Sequence, residues 1–130
     1  MLQKRSALLA ASLAFIAGAA QAQISDGIVK IGVLNDMSGL YSDITGPGST
    51  FAARQAVEDF GAAAKGLKVE IISADHQNKP DVGSSIARQW YDVDKVDVIV
   101  DVPTSSVALA VSEITREKNK VFLVSGAAAS

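Results

Sequence analysis

Residues 96–114 have the sequence VDVIVDVPTSSVALAVSEI, which places a strand, a turn and a helix in direct succession. Val96–Val102 is short, apolar and rich in β-branched residues, and this predicts a buried strand. Pro103 ends the strand because its ring removes a backbone donor. The apolar residues that follow are spaced i, i+3, i+4 and i+7, on one face of an amphipathic helix: Val107, Ala110, Val111 and Ile114.

The same alternation extends along the rest of the chain. Three other short apolar segments predict strands: Ile28–Leu34, Leu67–Ala74 and Lys120–Val124. Helical patterns cover Phe51–Phe60 and Val82–Tyr91, and Pro80 stands where a first helical turn tolerates a missing N–H. Strands separated by helices run parallel with right-handed crossovers. The predicted fold class is therefore α/β, an open and mainly parallel sheet built from βαβ units.

The N-terminus has the three parts of a secretory signal peptide. Lys4 and Arg5 are positive, Ala7–Ala17 is apolar and uncharged, and Ala20-Gln21-Ala22 supplies small residues before a cleavage point. The apolar part is shorter than the roughly 20 residues of a membrane-spanning helix, although an uncleaved anchor would use the same residues. We therefore expect residues 1–22 to be a leader that directs the protein to the periplasm. Residues 23–130 would form one domain.

Composition and charge argue against some classes of binding partner. The chain has a formal net charge of −2 and no cysteine. Removal of the leader takes away two basic residues and no acidic one, so the remainder is more acidic. An acidic chain has no broad attraction for nucleic acid or for anionic membranes. Without cysteine it has neither disulfides nor thiolate chemistry.

The candidate binding residues follow the predicted strands. In open α/β sheets, ligands sit beyond the carboxyl ends of the strands. Tyr41 lies in a loop rich in Gly and Ser that is expected to run to Thr50. Three hydroxyl residues open the third helix, where free N–H groups and the helix dipole favour a carboxylate: Thr104, Ser105 and Ser106. Gly126, Ala127 and Ala128 follow the fourth strand with almost no side chain.

Each of these residues also has a purely structural interpretation. Thr104 or Ser105 could simply cap the helix, Tyr41 could pack within its own loop, and Gly126 could ease a turn. Trp90 and Tyr91, near the end of the second helix, are expected to be partly buried packing residues and not a binding platform.

Signals for catalysis are weak. His76 is the sole histidine and is expected to be a solvated loop residue. No Cys/His pair or HExxH spacing suggests a metal site, and Gly46-Pro47-Gly48 lacks the pattern of a phosphate-binding loop. We therefore expect a protein that is not an enzyme and that uses no cofactor or metal.

Several motifs together resemble the leucine/isoleucine/valine-binding protein family. They comprise residues 28–34 (IVKIGVL), 37–39 (MSG), 53–59 (ARQAVED), 96–100 (VDVIV), 105–106 (SS) and 125–128 (SGAA). The resemblance spans the whole predicted domain. It implies a type I periplasmic binding fold in which two lobes close on a solute. This chain would be the N-terminal part, without the C-terminal lobe.

The resemblance also implies roles for particular residues. Ser105 would meet the carboxylate of the solute together with N–H groups at the start of the third helix. Gly126 and Ala128 would contact the solute after the fourth strand, and Tyr41 or Thr45 would supply the group at the rim. Amino-acid binders of this family usually have Thr where this chain has Ala128. The solute is therefore expected to be a branched-chain or other amino acid, or an aromatic acid.

The expected function is capture of a small carboxylate-bearing solute for an ABC uptake transporter. Its partners would be that solute and the membrane permease and ATPase subunits, with the binding protein itself a monomer. Two alternatives remain at this point. One is an exported ligand-sensing domain of a receptor system, which would share every site residue. The other is a phosphorylation-receiver domain. The acidic pocket of such a domain is similar to a set of residues in this chain, namely Asn35-Asp36, Asp101 and Ser125.

Overall fold

A computed structural model of the chain describes residue 24 and residues 26–128. The predicted leader, residues 1–22, lies outside the described residues. Within the described part, no helix combines the length and apolar character needed to cross a membrane.

Within residues 26–128, four strands and three helices alternate, with one short 3₁₀ turn. The elements are β1 (Val29–Asn35), α1 (Gly46–Phe60), the 3₁₀ turn (Ala63–Lys65), β2 (Val69–Asp75), α2 (Pro80–Asp92), β3 (Val98–Asp101), α3 (Ser105–Glu117) and β4 (Val121–Val124). The strands form one sheet in the order β2-β1-β3-β4, and every pairing is parallel. The predicted α/β class and parallel sheet are therefore confirmed.

The main core lies between the sheet and the pair α2 and α3. Leu34 of β1 and Ile99 of β3 are fully buried there against Val107 and Val111 of α3. These two helix residues belong to the predicted apolar face. Trp90 and Tyr91 are also buried in this cluster, which confirms their expected packing role. Burial of such side chains contributes roughly 1.5–3 kcal/mol each, so this face of the sheet dominates the stability.

Several element boundaries differ from the sequence-based expectations, and the differences at α1 and β3 bear on the site. Helix α1 begins at Gly46 and not near Phe51, so the expected loop through Thr50 is wrong for its last residues. Pro47 needs no backbone donor in a first helical turn, and the buried amide of Asn35 donates to the Gly46 carbonyl at 3.0 Å. Strand β3 covers Val98–Asp101 and is shorter than the expected Val96–Val102 at both ends; its carboxyl end coincides with positive φ at Asp101 and Val102, 80° and 49°.

Gly32 lets the central strand approach α2 closely. A Cβ atom added to Gly32 would overlap the ring of Trp90, with only 2.5 Å to Cε3. Trp90 is buried and cannot swing away without leaving the core. The absence of a side chain at position 32 therefore sets the spacing between sheet and helix.

We expect Gly32→Ala to lower the free energy of unfolding by about 1–3 kcal/mol, because the added methyl overpacks this contact. Gly48→Ala is the matched control, since a Cβ atom there meets nothing within 4 Å. Alanine at this helical position should leave stability unchanged or raise it by about 0.5–1 kcal/mol. Urea unfolding followed by circular dichroism measures both, and equal effects of the two changes would contradict this account of Gly32.

Candidate functional site

The sheet order brings the predicted site residues to one corner of the molecule. Strand β3 lies between β1 and β4, and all three run parallel, so their carboxyl ends meet at the same edge. The loops after these strands carry the residues predicted to bind a ligand. Hydrogen bonds that cross between the loops show how closely the corner is assembled.

Ser105 and Ala128 are joined directly by a hydrogen bond although they are 23 positions apart in the sequence. The Ser105 Oγ accepts a hydrogen bond from the Ala128 backbone N–H at 3.1 Å. A hydroxyl group has one proton to donate besides its lone pairs. Because the Ala128 N–H occupies a lone pair, the proton of Ser105 remains available to a further acceptor. The bond therefore orients a hydroxyl donor at the first residue of α3.

The start of α3 also presents backbone donors. The first N–H groups of any α-helix lack partners within the helix, and at α3 these belong to Ser105, Ser106 and Val107. Thr104 occupies the N-cap position, but neither it nor Ser105 makes a side-chain capping bond there. The Thr104 Oγ1 atom is buried and has no hydrogen-bond partner in the described chain. Simple side-chain capping therefore does not explain these hydroxyl groups.

The other predicted residues differ in their surroundings. Ser106, Gly126 and Ala128 are exposed at the corner, whereas Ala127 is half-buried and packs against the main core. Tyr41 has a relative exposure of 36 %, and its carbonyl accepts a bond from the Thr45 hydroxyl at 3.1 Å. The contact of each of these residues with a ligand stays a prediction.

Asp101 links three strand ends, a role that its sequence position alone does not reveal. Its carboxylate accepts hydrogen bonds from Asn35 Nδ2 at 3.2 Å and from the Ser125 hydroxyl. Its carbonyl accepts the Ser125 N–H at 3.2 Å. Asp101 has a φ of 80° and Val102 a φ of 49°, a left-handed conformation that costs non-glycine residues about 1–3 kcal/mol each. The bonds from neighbouring strands hold this strained segment in place.

Asp36 and Asp75 organise the loop after β1. Asp36 is fully buried and accepts the backbone N–H groups of Gly39 at 2.8 Å and Tyr41 at 3.0 Å. Asp75 accepts the N–H of Met37 at 3.0 Å. Burial opposes the charge of Asp75, but hydrogen bonds from Ser38, Met37 and Gln77 outweigh it and hold the pKa of this carboxyl below its usual value. The loop that carries Tyr41 is thus fixed by two carboxylates.

His76 is not solvated, so the sequence-based expectation for it is wrong. The residue is 0 % exposed. Its backbone N–H donates to the Asn35 carbonyl at 2.9 Å, which continues the β2 pairing by one residue, and its Nδ1 accepts the Asn78 N–H at 3.0 Å. Burial lowers the pKa of the imidazole below its usual value, although nearby Asp36, Asp75 and Asp101 oppose this effect. The buried ring is therefore neutral near pH 7.

A shallow cavity adjoins the corner on the side of α1. Its volume is about 380 Å³. It is lined by Val33, Ser49, Ala52, Val100, Asp101, Leu123, Val124 and Ser125. The cavity touches the corner through Asp101 and Ser125, while Ser105 lies outside its lining. Within the described residues, no cluster of three or more His, Cys, Asp or Glu side chains could hold a metal ion.

A family model and several solved structures that are similar to this chain all describe periplasmic or solute-binding proteins. A family model described as periplasmic binding protein matches residues 28–130. The crystal structure of a periplasmic binding protein from Burkholderia mallei has 44% sequence identity and a TM-score of 0.76, over 80% of this chain and 28% of that chain. A branched chain amino acid ABC transporter periplasmic ligand-binding protein from Burkholderia xenovorans LB400 has 48% identity and a TM-score of 0.74, over 78% of this chain and 27% of that chain.

A more distant structure was solved with a bound aromatic acid. It is the solute binding protein of an ABC transporter from R. palustris in complex with 4-hydroxybenzoate, with 27% identity and a TM-score of 0.67, over 79% of this chain and 28% of that chain. The chain thus spans little more than a quarter of the length of these proteins. A search of curated proteins gave no match. None of these matches supports the phosphorylation-receiver interpretation.

The buried histidine makes stability depend on pH. Because folding lowers the His76 pKa below its unfolded value of about 6.5, the unfolded state binds more protons as the pH falls below that value. We expect acidification from pH 7.5 to 5.5 to cost the wild type up to about 1.4 kcal/mol per pH unit relative to His76→Asn. Urea unfolding at several pH values measures this difference, and parallel pH profiles for the two proteins would contradict it. Asparagine keeps an acceptor for the Asn78 N–H but does not titrate.

Proposed function

Because this chain belongs to the periplasmic binding protein family, we propose that it forms part of the solute-capturing component of an ABC uptake transporter. We propose further that it binds a small solute through the carboxylate of that solute. The proposed location is the periplasm, reached by means of the N-terminal leader. The proposed partners are the solute and the permease and ATPase subunits in the membrane, and the proposed oligomeric state is a monomer.

The hydrogen bond between Ser105 and Ala128 is the observation that carries the carboxylate proposal. It leaves the Ser105 proton free to be donated, next to the unpaired N–H groups that open α3. Donors of this kind, together with the positive end of the helix dipole, favour an anion at a helix N-terminus. A hydrogen bond to a charged group contributes about 1.5–3 kcal/mol. Ser105, Ser106 and the N–H groups at positions 105–107 would hold the solute.

The relatives support a carboxylate-bearing solute of more than one type. One relative is described as a branched chain amino acid transporter component, and another was solved with 4-hydroxybenzoate. These two classes of compound share a carboxylate and differ in the ammonium group. Ala128 offers no side-chain hydroxyl for an ammonium group, so the carboxylate is the part of the solute that this corner can recognise. Tyr41, Gly126 and Ala127 would contact the remainder.

The proposed mechanism is capture by closure of two lobes, with no chemical reaction. The described lobe presents the donors at its corner, and a second lobe beyond this chain would close over the bound solute and exclude water. Exclusion of water strengthens the hydrogen bonds to the carboxylate, because the local dielectric falls. The energy of transport would come from the ATPase subunits.

A thermal-shift screen of the complete protein tests the class of solute. We expect stabilisation by an amino acid or aromatic acid, and none by the corresponding amide, since an amide carries no negative charge for the start of α3. A solute at a hundredfold its Kd should stabilise the folded state by about 2.7 kcal/mol. Equal stabilisation by an acid and its amide would overturn the carboxylate proposal.

The replacement Ser105→Ala tests the position of the carboxylate. We expect it to weaken binding of the stabilising acid by about 1–3 kcal/mol, as for loss of a hydrogen bond to a charged group. Ser112→Ala is the control in the same helix, because the Ser112 hydroxyl donates to the Leu109 carbonyl at 2.7 Å within α3. Calorimetry measures both affinities, and an unchanged affinity for Ser105→Ala would contradict the assignment.

A further inference from the structure

His76 lies between the end of β1 and the helix α2, near the start of α3. A Cβ atom added to Gly83 of α2 would lie 3.6 Å from the His76 Cβ and 2.5 Å from the Val107 Cγ1 of α3. His76 and Val107 therefore contact the same point on α2, where glycine leaves the space. Val107 is the third residue of α3. His76 thus adjoins the same part of α2 as Val107, in the helix turn that carries the proposed anion-binding donors.

The hydrogen bonds of the ring define its protonation state. Its Nδ1 accepts the Asn78 N–H, a geometry that two successive left-handed residues, Gln77 and Asn78, make possible. The single proton of the neutral ring is then on Nε2. This Nε2 is buried and has no hydrogen-bond partner in the described residues, and the same is true of the Thr104 Oγ1 at the N-cap of α3. A buried donor without a partner is destabilising, so His76 has an unfavourable feature that an apolar residue at this position would avoid.

Carboxylates surround this ring on the side of the strands. Asp36 follows β1, Asp75 ends β2 and Asp101 ends β3, and all three interact electrostatically with His76. The helices contribute no charge at the shared contact point, because α2 presents Gly83 and α3 presents Val107. The ammonium of Lys79 is exposed and bonds the Gln77 side chain at 3.3 Å. Negative charge therefore dominates the polar surroundings of the ring.

We propose that His76 is a positioning residue for the anion-binding corner and that its imidazole takes up a proton when an anionic solute binds there. The inference rests on the proposed function, since it requires a carboxylate at the start of α3. In the empty protein the ring is neutral, and its Nδ1 accepts the Asn78 N–H. On binding, a proton from the solvent adds to Nδ1, and the Asn78 N–H loses its acceptor.

Coulomb's law gives the direction in which the pKa of His76 changes when an anion binds. A carboxylate beside the first turn of α3 adds a fourth negative charge to a region that already contains three. The cationic ring is favoured by that addition, so binding raises the pKa of His76 and draws a proton from solution. Protonation of His76 breaks the Asn78 hydrogen bond in the empty protein and in the solute-bound protein alike. The free energy of that loss therefore cancels when the His76 pKa values of these two forms are compared. By linkage, the affinity for an anion must rise as the pH falls.

Calorimetry on the complete protein tests this inference with 4-hydroxybenzoate and with L-leucine as probes. Between pH 7.5 and 5.5 we expect the affinity of the probe that binds to rise about two- to tenfold. Titrations in two buffers of different ionisation enthalpy should show net proton uptake by the wild type. His76→Asn should abolish both the pH dependence and the proton uptake. The control Asp81→Asn removes an exposed carboxylate of α2 and should preserve both.

The outcomes separate this inference from the proposed function. Binding with no proton uptake by the wild type, or an equal pH dependence in His76→Asn, would overturn the role of His76 and leave the carboxylate site intact. If neither these probes nor any acid of the thermal-shift screen binds at any pH, the proposed solute class and this inference both fail. The buffer comparison needs only the wild type, so it decides the question even if His76→Asn does not fold.

Discussion

Strand β1 pairs in parallel with β2 on one side and β3 on the other, and this pairing places every other part of the molecule. The register sets Asn35 opposite Asp75 and Leu34 opposite Asp101, so the strands end at nearly the same level. Gly32, in the middle of β1, allows the sheet to contact Trp90 of α2. A shift of one residue would move each side chain of β1 to the opposite face. Such a shift would lose the core and the corner together.

The corner contains negative carboxylates as well as the positive end of a helix dipole. Three aspartates lie at the carboxyl ends of β1, β2 and β3, while α3 directs its positive dipole end toward the same region. Backbone and side-chain donors occupy the oxygens of Asp36, Asp75 and Asp101. A carboxylate whose oxygens are occupied fixes a loop and offers fewer acceptors to a solute. Because these carboxylate oxygens already accept hydrogen bonds within the fold, they leave the donors at the start of α3 available to an anion.

The sequence predicted the α/β class, all four strands and the amphipathic face of α3, because runs of β-branched residues and helical spacing are local signals. It missed the burial of His76, because the residue adjoins Gly83 of α2 near Val107 of α3, and a packing arrangement of this kind leaves no signal in the local sequence. It also missed the left-handed backbone of Asp101 and Val102, because this conformation is uncommon in non-glycine residues and is an outlier for a β-branched residue such as valine. The start of α1 was hidden by Gly46 and Pro47, which are common in loops.

The bond between Ser105 and Ala128 uses a main-chain N–H, and this has a consequence for how the protein can diversify. Every amino acid except proline supplies the same N–H, so the residue type at position 128 can change while the Ser105 hydroxyl keeps its orientation. Under the proposed function, the hydroxyl that would hold the carboxylate and the side chain at position 128 are therefore separable. A change of residue type at position 128 would then alter the surface offered to the rest of the solute and leave the carboxylate donor in place.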